Sequence, residues 1–123
     1  MRREDVAEFA KHWIDSWNAR DLEAVLTHFD EAARFTSPRA IAVFGRGTVE
    51  GKAELRAYWQ ARVAEIDRLR FTLERVLWDD EQQTMVILYL ADVNGQKTRA
   101  CELLRFGESG AAVEGEAMYG APA

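Results

Sequence analysis

Apolar and polar positions alternate along this chain in two distinct periods, and the change of period divides it. From Asp5 to Asn18, the apolar residues Val6, Phe9, Ala10, Trp13, Ile14 and Trp17 recur at helical spacing and form one wide stripe. The same spacing predicts a short second helix capped by Asp21, with Leu22, Val25, Leu26 and Phe29 on one side. It also predicts a third helix after Gly51, with Leu55, Tyr58, Trp59, Val63 and Ile66 inward. Asp5 followed by Glu8 has the form of a capping box, and Asn18 suits the end of the first helix. Ala33 to Ser37 forms a short strand closed by Pro38, while Arg39 to Val49 fits either strand or loop.

Beyond Arg70 the period falls to two. Arg70 to Trp78 is a strand whose parity switches between Leu73 and Val76, implying a bulge near Glu74-Arg75. Met85 to Ala91, Arg99 to Phe106 and Val113 to Tyr119 then form a three-strand antiparallel meander. Asn94-Gly95 marks its first turn and Gly107 to Gly110 its second. Met85 to Ala91 is apolar at nearly every position, so both of its faces should be covered. Pro122 and its flanking alanines read as a frayed tail. Helices segregated from a run of strands predict an α+β domain spanning residues 1–123, with a strongly curved antiparallel sheet wrapped around the N-terminal helices. Such a sheet makes a cone open at one end.

Composition narrows the function. The formal charge is −5 over 123 residues, which argues against nucleic acid and against anionic membrane surfaces. No apolar run reaches the ~20 residues of a membrane span, and the charged N-terminus lacks a signal-peptide core, so a cytoplasmic location is expected. The single cysteine, Cys101, excludes an intrachain disulfide. The two histidines, His12 and His28, show no ligand spacing, so no metal site and no cofactor are expected.

Short motifs carry a further resemblance. They are Trp17-Asn18-Ala19-Arg20-Asp21-Leu22, His28-Phe29, Ala33-Arg34-Phe35-Thr36-Ser37-Pro38, Val49-Glu50-Gly51-Lys52 and Leu104-Arg105-Phe106. In this order, over nearly the whole chain, they resemble the nuclear transport factor 2-like, or SnoaL-like, superfamily with its cystatin-like cone. That superfamily includes isomerases, dehydratases, epoxide hydrolases, polyketide cyclases and non-catalytic binding modules, so the resemblance implies a fold and not one reaction. Against ketosteroid isomerase the pattern departs. Ser37 stands in place of the general-base aspartate, and Trp13 in place of a tyrosine donor. Glu102 keeps the position of a protonated acid. Serine without a partner base does not abstract a carbon-bound proton near neutral pH, so isomerase activity is not carried over. The histidine pair of scytalone dehydratase and the Asp-Arg-Asp relay of epoxide hydrolases have no counterpart.

Glu102 is the leading candidate. Facing the cone, its carboxyl is desolvated and acts as an acid or neutral donor; facing solvent, it pairs with Arg99 or Arg34. Counting back from Asn94-Gly95 puts Tyr89 on the cone side, and the resemblance implies the same for Tyr119; both are read as catalytic helpers or as core aromatics. Trp13, Trp17, Phe35, Tyr58 and Trp59 are expected as pocket walls, with Ser37, Leu104 and Ala117 beside them, and Gly115 and Ala117 leaving room beneath Tyr119. Three readings stay open: a cofactor-independent enzyme, a binding module for a small hydrophobic or aromatic molecule, and an interaction domain. On the outer sheet face Leu88, Leu90, Cys101, Leu103 and Met118, with Trp78 as a further candidate, form an apolar surface that predicts a homodimer.

Overall fold

The computed structural model describes residues 1–123. After a 3-10 turn at Arg3–Asp5, the elements are α1 (Val6–Asn18), α2 (Leu22–Leu26), β1 (Phe29–Thr36), α3 (Ala40–Phe44), β2 (Thr48–Glu50) and α4 (Lys52–Ala64). Four long strands follow: β3 (Leu69–Asp79), β4 (Thr84–Val93), β5 (Gln96–Phe106) and β6 (Ala112–Pro122). One six-stranded sheet has the order β2-β1-β6-β5-β4-β3. All pairings are antiparallel except β1 with β6, which is parallel, so the sheet is mixed at that seam. The architecture is α+β, with the helices on the concave face.

The meander matches its pattern. Asn94 and Gly95 both have positive φ, 51° and 86°, as the two-residue turn demands. On β4, Met85, Ile87, Tyr89 and Ala91 are buried while Val86, Leu88 and Leu90 are half-buried. The concave face of β4 is therefore covered by this chain, while its outer face is only half-buried within it. The bulge falls between Leu73 and Arg75. It restores Val76 and Trp78 to the concave side, so Trp78 packs against Phe106 and not on the outer face.

Several boundaries differ from the sequence reading. Phe29 opens β1 instead of closing α2, because its ring meets Phe35 and Trp59 in the core. Strand β1 ends at Thr36, one residue before Ser37. Arg39 to Val49 resolves into α3, Gly45 with φ 74° at its C-terminus, and most of β2. Helix α4 stops at Ala64, leaving Ile66 in the following turn. Asp5 makes no side-chain cap, since the preceding 3-10 turn places it in helical backbone. The tail is not frayed: β6 runs to Pro122, which pairs with Thr98, and the Ala123 N–H donates to the Lys97 carbonyl.

The Trp17-to-Leu22 motif has a structural explanation. The Asn18 amide donates to the Phe71 carbonyl at 2.9 Å and accepts from the Phe71 N–H at 2.7 Å. It thus replaces a strand partner at the exposed edge of β3. The left-handed residue after α1 is Arg20, with φ 56°, and not Asn18. The Arg20 guanidinium donates to the carbonyls of Ile66 and Asp67. Asp21 caps α2 by accepting from the Ala24 N–H.

Candidate functional site

The cone is closed at one end and open at the other. At the closed end, Phe35, Leu55, Met85, Ile87 and Leu104 are fully buried. Gly115 is required there. A Cβ at this position would stand 2.8 Å from the Phe35 ring and 3.2 Å from Leu104. The space expected above Gly115 is thus filled by protein, and Leu104 lies in the core instead of lining the cavity.

The open end encloses a cavity of about 640 Å³, with 14 of its 20 lining residues hydrophobic. A volume of this order suits a small organic ligand. Trp13 and Trp17 of α1, Tyr58 and Trp59 of α4, Phe35, Phe71, Ala117 and Tyr119 line it together with Tyr89 and Glu102. Ser37 does not. It is completely buried behind the wall and accepts a hydrogen bond from the Tyr58 hydroxyl at 3.0 Å.

Register explains why two phenols meet one carboxyl. On the central strand β5, Ala100 pairs with Tyr89 on one side and Tyr119 on the other. Glu102 is two residues further on the same face, a diagonal neighbour of both, within reach of aromatic side chains. Ala100 is small enough to let both rings lean across it. Glu102 is only 3 % exposed and forms no ion pair with Arg99 or Arg34, which pair with Glu74 and Glu50.

Burial pushes the Glu102 carboxyl well above the usual carboxylate range, opposed by the adjacent Tyr89 hydroxyl. Burial and then the Glu102 charge raise Tyr89 well above its ordinary value and Tyr119 to about 12. Tyr58 is also raised by burial, with its bond to Ser37 opposing. All three phenols therefore keep their protons near neutral pH, and burial favours the protonated form of the Glu102 carboxyl, which carries an O–H. Phenols and a protonated carboxyl are hydrogen-bond donors. The indole N–H groups of Trp13 and Trp17 have no oxygen acceptor. Their rings meet Trp17 and Trp59 edge-on, at 68° and 87°, which suits N–H contact with aromatic faces.

Two cationic lining residues, Arg39 and Arg62, were not singled out in the sequence. Arg62 follows Tyr58 and Trp59 by four and three positions, a helical stripe that places it on their side of α4. Arg39 lies in the segment whose conformation was open, so no periodicity pointed to it. The histidines, separated by 16 positions, meet outside the cavity with His12 Nδ1 3.2 Å from His28 Nε2. Burial, and secondarily His12, lower the pKa of His28. No group of three or more His, Cys, Asp or Glu side chains is arranged to hold a metal ion. No helix is long and apolar enough to cross a membrane.

A cone of this topology with a cavity between helices and sheet defines a known class. The SnoaL-like domain family matches residues 10–115, and the chain belongs to that family. Among solved structures it is similar to a SnoaL-like protein of unknown function from Burkholderia thailandensis, with 29% identity, TM-score 0.86 and 98% of each chain covered. It is also similar in fold to a provisionally named ketosteroid isomerase from Kribbella flavida, at 15% identity and TM-score 0.74, over 96% of this chain and 79% of that one. A third neighbour is TerC co-crystallised with polyporic acid, at 15% identity and TM-score 0.75, over 93% and 90%. At such identities the last two show the fold alone. No curated protein matches the chain.

Proposed function

We propose that the chain binds a small hydrophobic or aromatic molecule carrying a carbonyl oxygen in the open end of the cone. The observation that carries this reading is Glu102, a buried carboxyl beside Tyr89 and Tyr119 in a predominantly apolar cavity. A neutral carboxyl and a phenol donate hydrogen bonds to a carbonyl oxygen and polarise it, stabilising any negative charge that develops there. Co-crystallisation of the fold neighbour TerC with polyporic acid is consistent with small-molecule binding in such a cone.

The enzymatic form of this reading is cofactor-independent acid-assisted chemistry of the isomerase, dehydratase or cyclase type, with Glu102 as the acid. With Glu102 assigned as the proton donor, no second carboxylate, histidine or lysine lines the cavity to act as the base that proton abstraction needs. Binding without turnover is therefore the simpler reading. A thermal-shift screen of ring-containing carbonyl compounds on wild type and Glu102→Gln tests it. A ligand at a hundred times its Kd stabilises by about 2.7 kcal/mol. A hit that weakens in the variant places its oxygen against Glu102; a panel without hits removes the reading.

We also propose a homodimer through the outer sheet face. Leu77 and Met118 are 52% and 41% exposed there, beside half-buried Val86, Leu88, Leu90, Cys101 and Leu103. Arg75, Arg99 and Arg105 share this face with Glu74, Glu114 and Glu116. A two-fold axis can set opposite charges of two copies against each other around the apolar patch. Sedimentation at micromolar concentration should give a dimer, and a clean monomer sinks the proposal.

A further inference from the structure

We infer that the ligand carries a carboxylate at its outer end, held by Arg39 and Arg62, so that the cone takes an aromatic keto acid lengthwise. This rests on the binding reading above and specifies the ligand class of the same cavity.

The argument begins with pairing. Most arginines of this chain are matched: Arg34, Arg46, Arg56, Arg68, Arg99 and Arg105 each meet a carboxylate, and Arg20 donates to two backbone carbonyls. Arg3, Arg70 and Arg75 lack such a partner but are exposed to solvent. Arg39 is half-buried, lines the cavity and has no carboxylate partner. Its guanidinium carbon lies 4.0 Å from the centre of the Tyr119 ring. That stack holds a cation in place without satisfying its N–H donors, which remain free for an acceptor.

Arg62 adds a second positive charge. Its only ion pair is a 3.7 Å contact with Glu65, whose side chain is 76% exposed. Arg62 lies one turn beyond Tyr58 on α4, and Arg39 lines the same cavity. The other titratable lining groups are the three tyrosines and Glu102. Glu102 is the one carboxyl in the lining and forms an ion pair with neither arginine, although the chain as a whole is acidic. Removing an arginine from water is costly unless an anion compensates, and a planar guanidinium matches a carboxylate with two parallel hydrogen bonds.

The lining therefore offers partners for two kinds of oxygen. The Glu102 carboxyl and the tyrosine hydroxyls suit a ketone, while the arginines suit an anion. The aromatic walls around them suit flat rings.

Isothermal titration with 6-acetyl-2-naphthoic acid and its methyl ester tests this, using wild type, Arg39→Gln, Arg62→Gln and Glu102→Gln. Wild type is expected to bind the acid at least about tenfold tighter than the ester, equivalent to about 1.4 kcal/mol. Each arginine variant should lose most of that preference while keeping its affinity for the ester. Glu102→Gln should weaken both compounds and keep the preference. Added salt should narrow the gap in wild type, because the arginine–carboxylate contact is partly open to solvent. Acid and ester binding equally well to wild type overturns the carboxylate inference and leaves the binding reading standing. A preference that survives in both arginine variants overturns it as well. Failure of both compounds to bind overturns both readings.

Discussion

The closed and open ends of the cone are built from the same strands and satisfy different requirements. At the closed end, Phe35 presses onto Gly115 and Leu104 fills the core beside it, leaving no room for a Cβ. At the open end, only two residues further along the same strands, the concave side holds Ala117, two phenols and a carboxyl without an ion pair around the cavity. Its rim is tied by side chains bonding to backbone. Asn18 holds Phe71, Arg20 holds Ile66 and Asp67, and the Asn94 side chain accepts from the N–H groups of Asp67 and Arg68. Packing stabilises one end. The other holds a cavity open with hydrogen bonds where packing is absent.

The largest effect is expected from filling the closed end. Gly115→Val forces Phe35 and Leu104 to move and should cost about 3 kcal/mol in urea unfolding. A near-neutral result would mean the closed end is as loosely filled as the open one. Next is Asn18→Ala, which leaves the Phe71 N–H and carbonyl without their partner. It should cost about 1–3 kcal/mol and loosen hydrogen-exchange protection along the β3 edge. No change in protection would show that the rim does not depend on this tie.

Glu102→Gln sharpens the electrostatic side of the comparison. The folded-state pKa of Glu102 is raised, so the native protein holds this proton more tightly than the unfolded chain. Native stability should therefore fall as pH rises above the unfolded carboxyl value of about 4.3, until the folded-state value is passed. The glutamine variant lacks that decline, so its advantage over wild type should grow with pH when urea midpoints are compared. An advantage that shrinks with rising pH would show that the carboxyl is ionised and paired in the fold. The smallest effect on stability is expected from Ala117→Val, which adds volume toward the cavity. It should stay within about 0.5 kcal/mol while weakening any ligand that fills the cone. A loss as large as that of Gly115→Val would erase the distinction between the ends.

Local patterns carried much of this fold in the sequence. The apolar run of β4, the Asn94-Gly95 turn and the bulge after Leu73 depend on neighbours along the chain and could be read there. The inward parity of Tyr89 follows from counting in twos from that turn, while that of Glu102, Ala117 and Tyr119 is implied by the family resemblance. What counting could not decide was which inward residues border space and which are packed. Leu104 and Glu102 share a face, yet one is core and the other borders the cavity, because only the first lies beneath Phe35 and Gly115. Ser37 stands in the motif position and is withdrawn behind Tyr58 by the end of β1. Arg39, just before α3, and Arg62, on α4, line one cavity although they are distant in sequence. Sequence alone determined the periods, turns and parity, since these arise from contacts a few residues apart. The tertiary structure decided the cavity, the burial of Glu102 and the company of the two arginines, since these depend on where distant segments leave volume unfilled.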